Sequence, residues 1–131
     1  MNVGNICNRE VTTITVDTPL VEAARTLCDS TSEALVAIAS NVSQPTAVGI
    51  LTDRAILRAL LERGGDATGM RVVDILPRNP LVLSRDEGIE DAMSRLRAWG
   101  VEHAPIVGPG GTLCGIISRR EILEYQLRQL A

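Results

Sequence analysis

Gly49-Ile50-Leu51-Thr52-Asp53-Arg54-Ala55-Ile56-Leu57 recurs 66 residues later as Gly115-Ile116-Ile117-Ser118-Arg119-Arg120-Glu121-Ile122-Leu123. In both stretches a glycine and two large aliphatics lead to a hydroxyl residue, and apolar residues at helical spacing follow. That pattern reads as a strand ending where a helix begins. Working outward, Ile6, Arg9, Asp17, Leu20, Ala23 and Leu27 stand against Ile75, Arg78, Asp86, Ile89, Ala92 and Leu96 at a constant spacing of 69. The drop from 69 to 66 places three extra residues in the first copy, within residues 39–46. Ser40-Asn41-Val42-Ser43-Gln44-Pro45 lies there, polar and turn-prone, where insertions are tolerated. The chain is therefore two copies of one unit, and the fold question becomes what one copy forms.

Each copy reads as β-α-β-β-α. In the first, Asp17 or Thr18 is placed to cap a helix with Pro19 in its first turn, and Leu20, Ala23, Ala24 and Leu27 recur at helical spacing. Gly88 stands in for that proline in the second copy. Ala34 to Ala39 and Ala47 to Leu51 are short apolar runs expected of buried strands. Their counterparts are Ala104 to Val107 and Leu113 to Ile117, joined by the hairpin signal Gly108-Pro109-Gly110-Gly111. A closing helix is expected from about Asp53 to Arg63, stopped by Gly64-Gly65, and another from Arg119 toward Gln129. The expected organisation is an α/β (α+β) fold with a first repeat over 1–65 and a second over 66–131. The linker is too short to separate independent domains, so the copies are expected to pack as one pseudo-two-fold module.

Composition narrows the function classes. The 131 residues are 45% hydrophobic, enough to bury a core, but only 2% aromatic, so that core must be Val, Ile, Leu and Ala. A net charge of −3 argues against nucleic acid as the main partner, since phosphate backbones are held by surplus positive charge. All thirteen basic residues are Arg. Cys7, Cys28 and Cys114 are far apart in sequence and only His103 is present to join them, which argues against a metal site or a disulfide framework. No apolar stretch approaches the length of a membrane span and no leader pattern opens the chain, so a cytoplasmic protein is expected.

The repeat, the paired alanines of the first helix, the strand Ala104-Pro105-Ile106-Val107 and the Gly-hydrophobic-x-Thr/Ser junction together resemble the CBS domain, in two copies that cover nearly the whole chain. The resemblance implies a Bateman module, whose clefts between copies bind adenosine nucleotides or related ligands, with no catalytic residues and no cofactor beyond such a regulatory ligand. With no second type of domain in the sequence, it also implies a stand-alone module acting on an unknown effector protein.

The junctions support ligand binding without the name. Thr52 and Ser118 sit where helix amides offer donors to an anion, and Arg54 and Arg119-Arg120 add guanidinium forks for phosphate. Thr and Ser are also ordinary helix caps, and Ser118-x-x-Glu121 is a capping box that needs no ligand. The family commonly carries Asp three residues after the Thr/Ser to hold the ribose hydroxyls. Here Ala55 and Glu121 occupy those positions, so the second junction is the better site. Its expected ligand residues are Ser118, Arg119, Arg120 and Glu121, with His103, Ala104 and Pro105 from the neighbouring strand. Thr52, Asp53 and Arg54 form the first, weaker set. His103 reads as a cleft-edge or solvated side chain, Trp99 as a packing residue, and Asp86, Glu87, Glu90 and Asp91 as complements to a helix dipole. Leu57, Leu60, Leu61, Ile122, Leu123 and Leu127 exceed what one stripe needs to cover a sheet, so a homodimer is expected. The alternative is an interaction or dimerisation module that has lost its ligand.

Overall fold

The structure, a computed structural model, describes residues 1–130. Two compact units are present, and each is built mainly from one copy. In the unit spanning Thr12–Pro80, β1 (Thr13–Thr15) is followed by α2 (Leu20–Asp29), β2 (Ala34–Ile38), β3 (Ala47–Thr52) and α3 (Asp53–Arg63). β1 runs parallel to β2 and β2 antiparallel to β3, giving the order β1-β2-β3. The other unit repeats this with β4 (Leu83–Ser84), α5 (Ile89–Trp99), β5 (His103–Val107), β6 (Leu113–Ser118) and α6 (Arg119–Leu130), in the order β4-β5-β6. The β-α-β-β-α reading thus holds in both copies, and the three-residue insertion falls in the β2–β3 connection.

Each sheet packs one face on its helices through the expected aliphatics. Leu20, Ala23 and Leu27 of α2 join Leu35, Ala37, Leu51 and Ile56 in one cluster. Ile89, Ala92, Met93 and Leu96 of α5 join Leu83, Ala104, Ile106, Ile117 and Ile122 in the other. Gly100, at φ +67°, closes α5 in the left-handed conformation, its N–H returning to Arg97 and Leu96 carbonyls. Neither Asp17 nor Thr18 caps α2. Its cap is Pro19 itself, with no side-chain bond, because Thr18 Oγ1 is turned to Thr15 Oγ1 at 2.8 Å. Trp99, read as a packing residue, is 46% exposed, since α5 ends there and its buried stripe stops at Leu96. No helix among the described residues is long and apolar enough to cross a membrane.

A short helix is exchanged between the copies. α1 (Val3–Ile6) and α4 (Val72–Ile75) are repeat equivalents, and each completes the unit built on the other copy. Val72 and Val73 donate their N–H groups to the Thr18 and Val16 carbonyls at 2.9 and 3.0 Å. At the equivalent places Val3 and Gly4 donate to Glu87 and Arg85 carbonyls, both at 2.9 Å. Val72 and Val3 are each fully buried in the cluster they join.

This exchange explains one glycine of the repeated motif. Asn8, just past α1, trades two 2.9 Å backbone hydrogen bonds with Ile116 along the free edge of β6. A Cβ on Gly115 would lie 2.6 Å from the Asn8 carbonyl oxygen and 2.7 Å from Cys7 Sγ. Gly115→Ala must therefore push the N-terminal segment off β6, at a cost of about 1–3 kcal/mol. Chemical denaturation should show that loss with an unchanged slope, and a stability equal to the parent's would contradict the close approach.

Candidate ligand site

The end of β6 runs directly into α6, and Ser118 stands at the turn. Its side chain is buried, with the residue only 6% exposed, and its Oγ accepts the Glu121 N–H at 3.0 Å. This is one half of the capping box. The Glu121 carboxylate makes no return bond, nor any other hydrogen bond or ion pair among the described residues. The Arg119 N–H donates to the Glu102 carbonyl at 2.9 Å. Two first-turn amides expected to be free are thus already engaged within the protein.

β5 lies antiparallel to β6 in a register that sets His103 opposite Ser118, Ala104 opposite Ile117 and Pro105 opposite Ile116. Directly opposite residues keep their Cβ atoms about 4.5–5.5 Å apart, so the half-buried His103 and the Ser118 hydroxyl are close neighbours. Arg119 Nη1 reaches Glu102 Oε2 at only 3.9 Å, and its buried Nε has no hydrogen-bond partner. Arg120 is largely solvated and lies against Glu124 at 3.4 Å, a surface pair worth a few tenths of a kcal/mol and easily exchanged for another anion. The structure therefore gathers Ser118, Arg119, Glu121, His103, Ala104 and Pro105 at one end of one sheet, with Arg120 on the outer rim.

Thr52, Asp53 and Arg54 lie in the other unit. Thr52 Oγ1 caps α3 by accepting the Ala55 N–H at 3.1 Å, and Asp53 Oδ1 accepts the Arg54 N–H at 2.7 Å. Ala34 faces Thr52 across the ladder, in the position His103 holds in the second copy. The two junctions share a backbone and differ in chemistry: Ala34, Asp53 and Ala55 replace His103, Arg119 and Glu121.

Nothing in the local pattern of residues 1–11 announces that the N-terminal segment borders the second junction. Asn8 pairs with Ile116, two residues before Ser118, and Cys7 lies beside it. Burial pushes the Cys7 thiol above its ordinary range; Arg9 opposes this, while Cys114 and Glu121 reinforce it. Glu121 thus acts electrostatically on a residue from the far end of the sequence. The only available signal was Gly115, which announces a close approach without saying of what. A shallow depression of about 430 Å³ at the start of α5, lined by Met1, Gly88, Ile89, Glu90, Asp91, Tyr125 and Gln126, contains none of the expected ligand residues. No group of three or more metal-ligating side chains occurs among the described residues.

The family model described as the CBS domain matches residues 3–62 and again 72–128. An uncharacterised protein of Methanopyrus kandleri is 24% identical over 126 residues, which are 96% of this chain and 63% of that protein. The chain thus spans less than two thirds of that relative. Among solved structures, CBSX2, a CBS-pair protein from Arabidopsis thaliana, in complex with AMP superposes with a TM-score of 0.80 at 24% identity, covering 99% of this chain and 98% of its own. The CBS domain pair of the protein MJ0100, in complex with 5'-methylthioadenosine and S-adenosyl-L-methionine, gives 0.81 at 19% identity, covering 98% of each chain. At these identities the likeness establishes the fold.

Proposed function

This chain belongs to the CBS-domain family, and on that premise we propose that it is a non-catalytic regulatory module that binds an adenosine nucleotide or related adenosyl compound at the Ser118 junction and relays the bound state to a partner protein. The observation that carries the reading is the Glu121 carboxylate, without a hydrogen-bond or ion-pair partner among the described residues and beside the Ser118–His103 pair. A ribose diol is a double donor, and a carboxylate with nothing else to accept is its natural counterpart. Arg119 and Arg120 supply the guanidinium groups a phosphate needs. The complexes of CBSX2 with AMP and of the MJ0100 pair with adenosyl compounds support the ligand class. At the first junction Ala55 offers no acceptor and Asp53 puts an acid where Arg119 stands, so both ribose and phosphate are disfavoured there.

A thermal-shift panel of AMP, ADP, ATP, S-adenosylmethionine and NADH tests the class. A ligand at a hundred times its Kd stabilises the native state by about 2.7 kcal/mol, a rise in Tm on the order of 10 °C for a chain of this size. Absence of any shift at millimolar concentration transfers the assignment to a ligand-free interaction module.

That second reading has its own support. Leu57, Leu60 and Leu61 of α3 are 57%, 47% and 79% exposed, and Leu123 and Leu127 of α6 are 46% and 66% exposed; only Ile122 of the six expected excess aliphatics is buried. Such faces seek a partner, and a homodimer is the proposed one. Light scattering at micromolar concentration should return twice the 14.0 kDa chain mass; a monomer mass would count against the dimer while leaving nucleotide binding open.

A further inference from the structure

We propose that Cys7 and Cys114, 107 residues apart in sequence, form a reversible dithiol–disulfide pair that a hydroperoxide closes, fastening the exchanged N-terminal segment to β6. The inference is independent of the nucleotide reading. Three features bring the two thiols together. Cys7 Sγ stands over Gly115, 2.7 Å from where a Cβ would be, so the residue it covers is the chain neighbour of Cys114 and carries no side chain to separate them. The β5–β6 register slips where Ile106 faces Gly115 and Val107 faces Leu113, leaving Cys114 as the unpaired residue of a bulge. Both thiols then pack, half-buried, against the same core cluster. Closing a disulfide needs the two Cα atoms about 4.4–6.8 Å apart, within reach of a sulfur that already lies over the adjoining residue.

The chemistry takes two steps. The sulfur of one thiol takes one peroxide oxygen, breaking the O–O bond and leaving a sulfenic acid and an alcohol or water. The sulfur of the other thiol then attacks the sulfenic sulfur, the S–S bond forms, and the oxygen leaves as water. The two sulfurs together give up two electrons to the peroxide, and the two thiol protons end in the released water and alcohol. Cys28, exposed on α2 in the other unit, serves as an internal control.

The consequence is mechanical. Residues 1–11 complete a unit otherwise formed from Leu81 onward, and are held there by backbone hydrogen bonds and by Val3 in the core. A disulfide would make that attachment covalent and close a long loop in the unfolded chain, which raises stability most when the loop is long.

The experiment treats the reduced full-length protein with hydrogen peroxide, blocks remaining thiols by alkylation, and maps the peptides without reduction. The expected result is an intramolecular Cys7–Cys114 linkage, alkylated Cys28, and a Tm raised on the order of 10 °C, all reversed by dithiothreitol. Cys7→Ser and Cys114→Ser should each abolish the oxidant-dependent rise, and Cys28→Ser should keep it. Recovery of Cys7 and Cys114 as separate alkylated or over-oxidised residues, or a linkage running only between chains through Cys28, would overturn the proposal. The map of the parent protein decides this even where a variant fails to fold.

Discussion

Glu121→Ala is expected to weaken adenosine nucleotide binding about tenfold to a hundredfold while leaving the fold intact. A ribose diol held in a partly dry site and deprived of its acceptor costs about 1–3 kcal/mol, which is that range in Kd. The fold survives because the capping bond of α6 is made by the Glu121 backbone N–H, not by its side chain. Ser118→Ala should also weaken binding, but its loss includes the cap, worth about 0.5–2 kcal/mol of stability. Comparing the two separates ligand contact from helix support. Thr52→Ala should lower stability through the lost bond to the Ala55 N–H and leave affinity unchanged, with about one site per chain by calorimetry. Ala55→Asp is the complementary change, adding an acceptor at the first junction. Abolition of binding by Thr52→Ala with Glu121→Ala unaffected would reverse the assignment of the sites. An affinity indifferent to all three changes would remove the ligand from both junctions.

The same comparison marks how far the sequence was legible. The main helices and β2, β3, β5 and β6 could be placed because each copy carries its own periodicity, and because a repeat at 69 and 66 residues lets one copy check the other. β1 and β4, three and two residues long, are too short to carry a period and were expected only as part of the unit. Which residues share the end of the second sheet was legible for a related reason: a strand–helix turn places Ser118 and Glu121 together by spacing, while a ribose role for Glu121 is what the family resemblance implies. His103 needed the antiparallel register to bring it opposite Ser118. Cys7 and Asn8 were beyond reach, since local pattern says nothing about which copy a four-residue helix will join. Charge at the two junctions was legible residue by residue. Its meaning emerged only when the ladder set Ala34 in the place of His103 and the helix starts aligned Asp53 with Arg119.

Val3→Asp is expected to cost at least about 3–5 kcal/mol, and to do so in the copy that does not contain it. Val3 is fully buried in the cluster formed by Leu83, Ile89, Leu96, Ile106 and Ile117. A carboxylate there has no cationic or donor partner in an aliphatic core, and an uncompensated buried charge belongs to the most destabilising class of substitution. The location of the damage is the sharper test. Val3→Ala removes only the packing of two methyl groups, so the protein should remain folded with part of its stability lost. Hydrogen exchange on that variant should then accelerate in α5, β5 and β6, while β2 and β3 keep their protection. Val72→Ala makes the reciprocal case: Val72 follows the linker in sequence but is buried with Leu20, Leu35 and Leu51, so its loss should open α2, β2 and β3. Local opening reports on the cooperative unit a residue belongs to, whatever its place along the chain. Crossed patterns from the two variants would demonstrate the exchange of α1 and α4 directly. Uncrossed patterns, each variant loosening its own copy, would mean that every copy folds with the helix that precedes it.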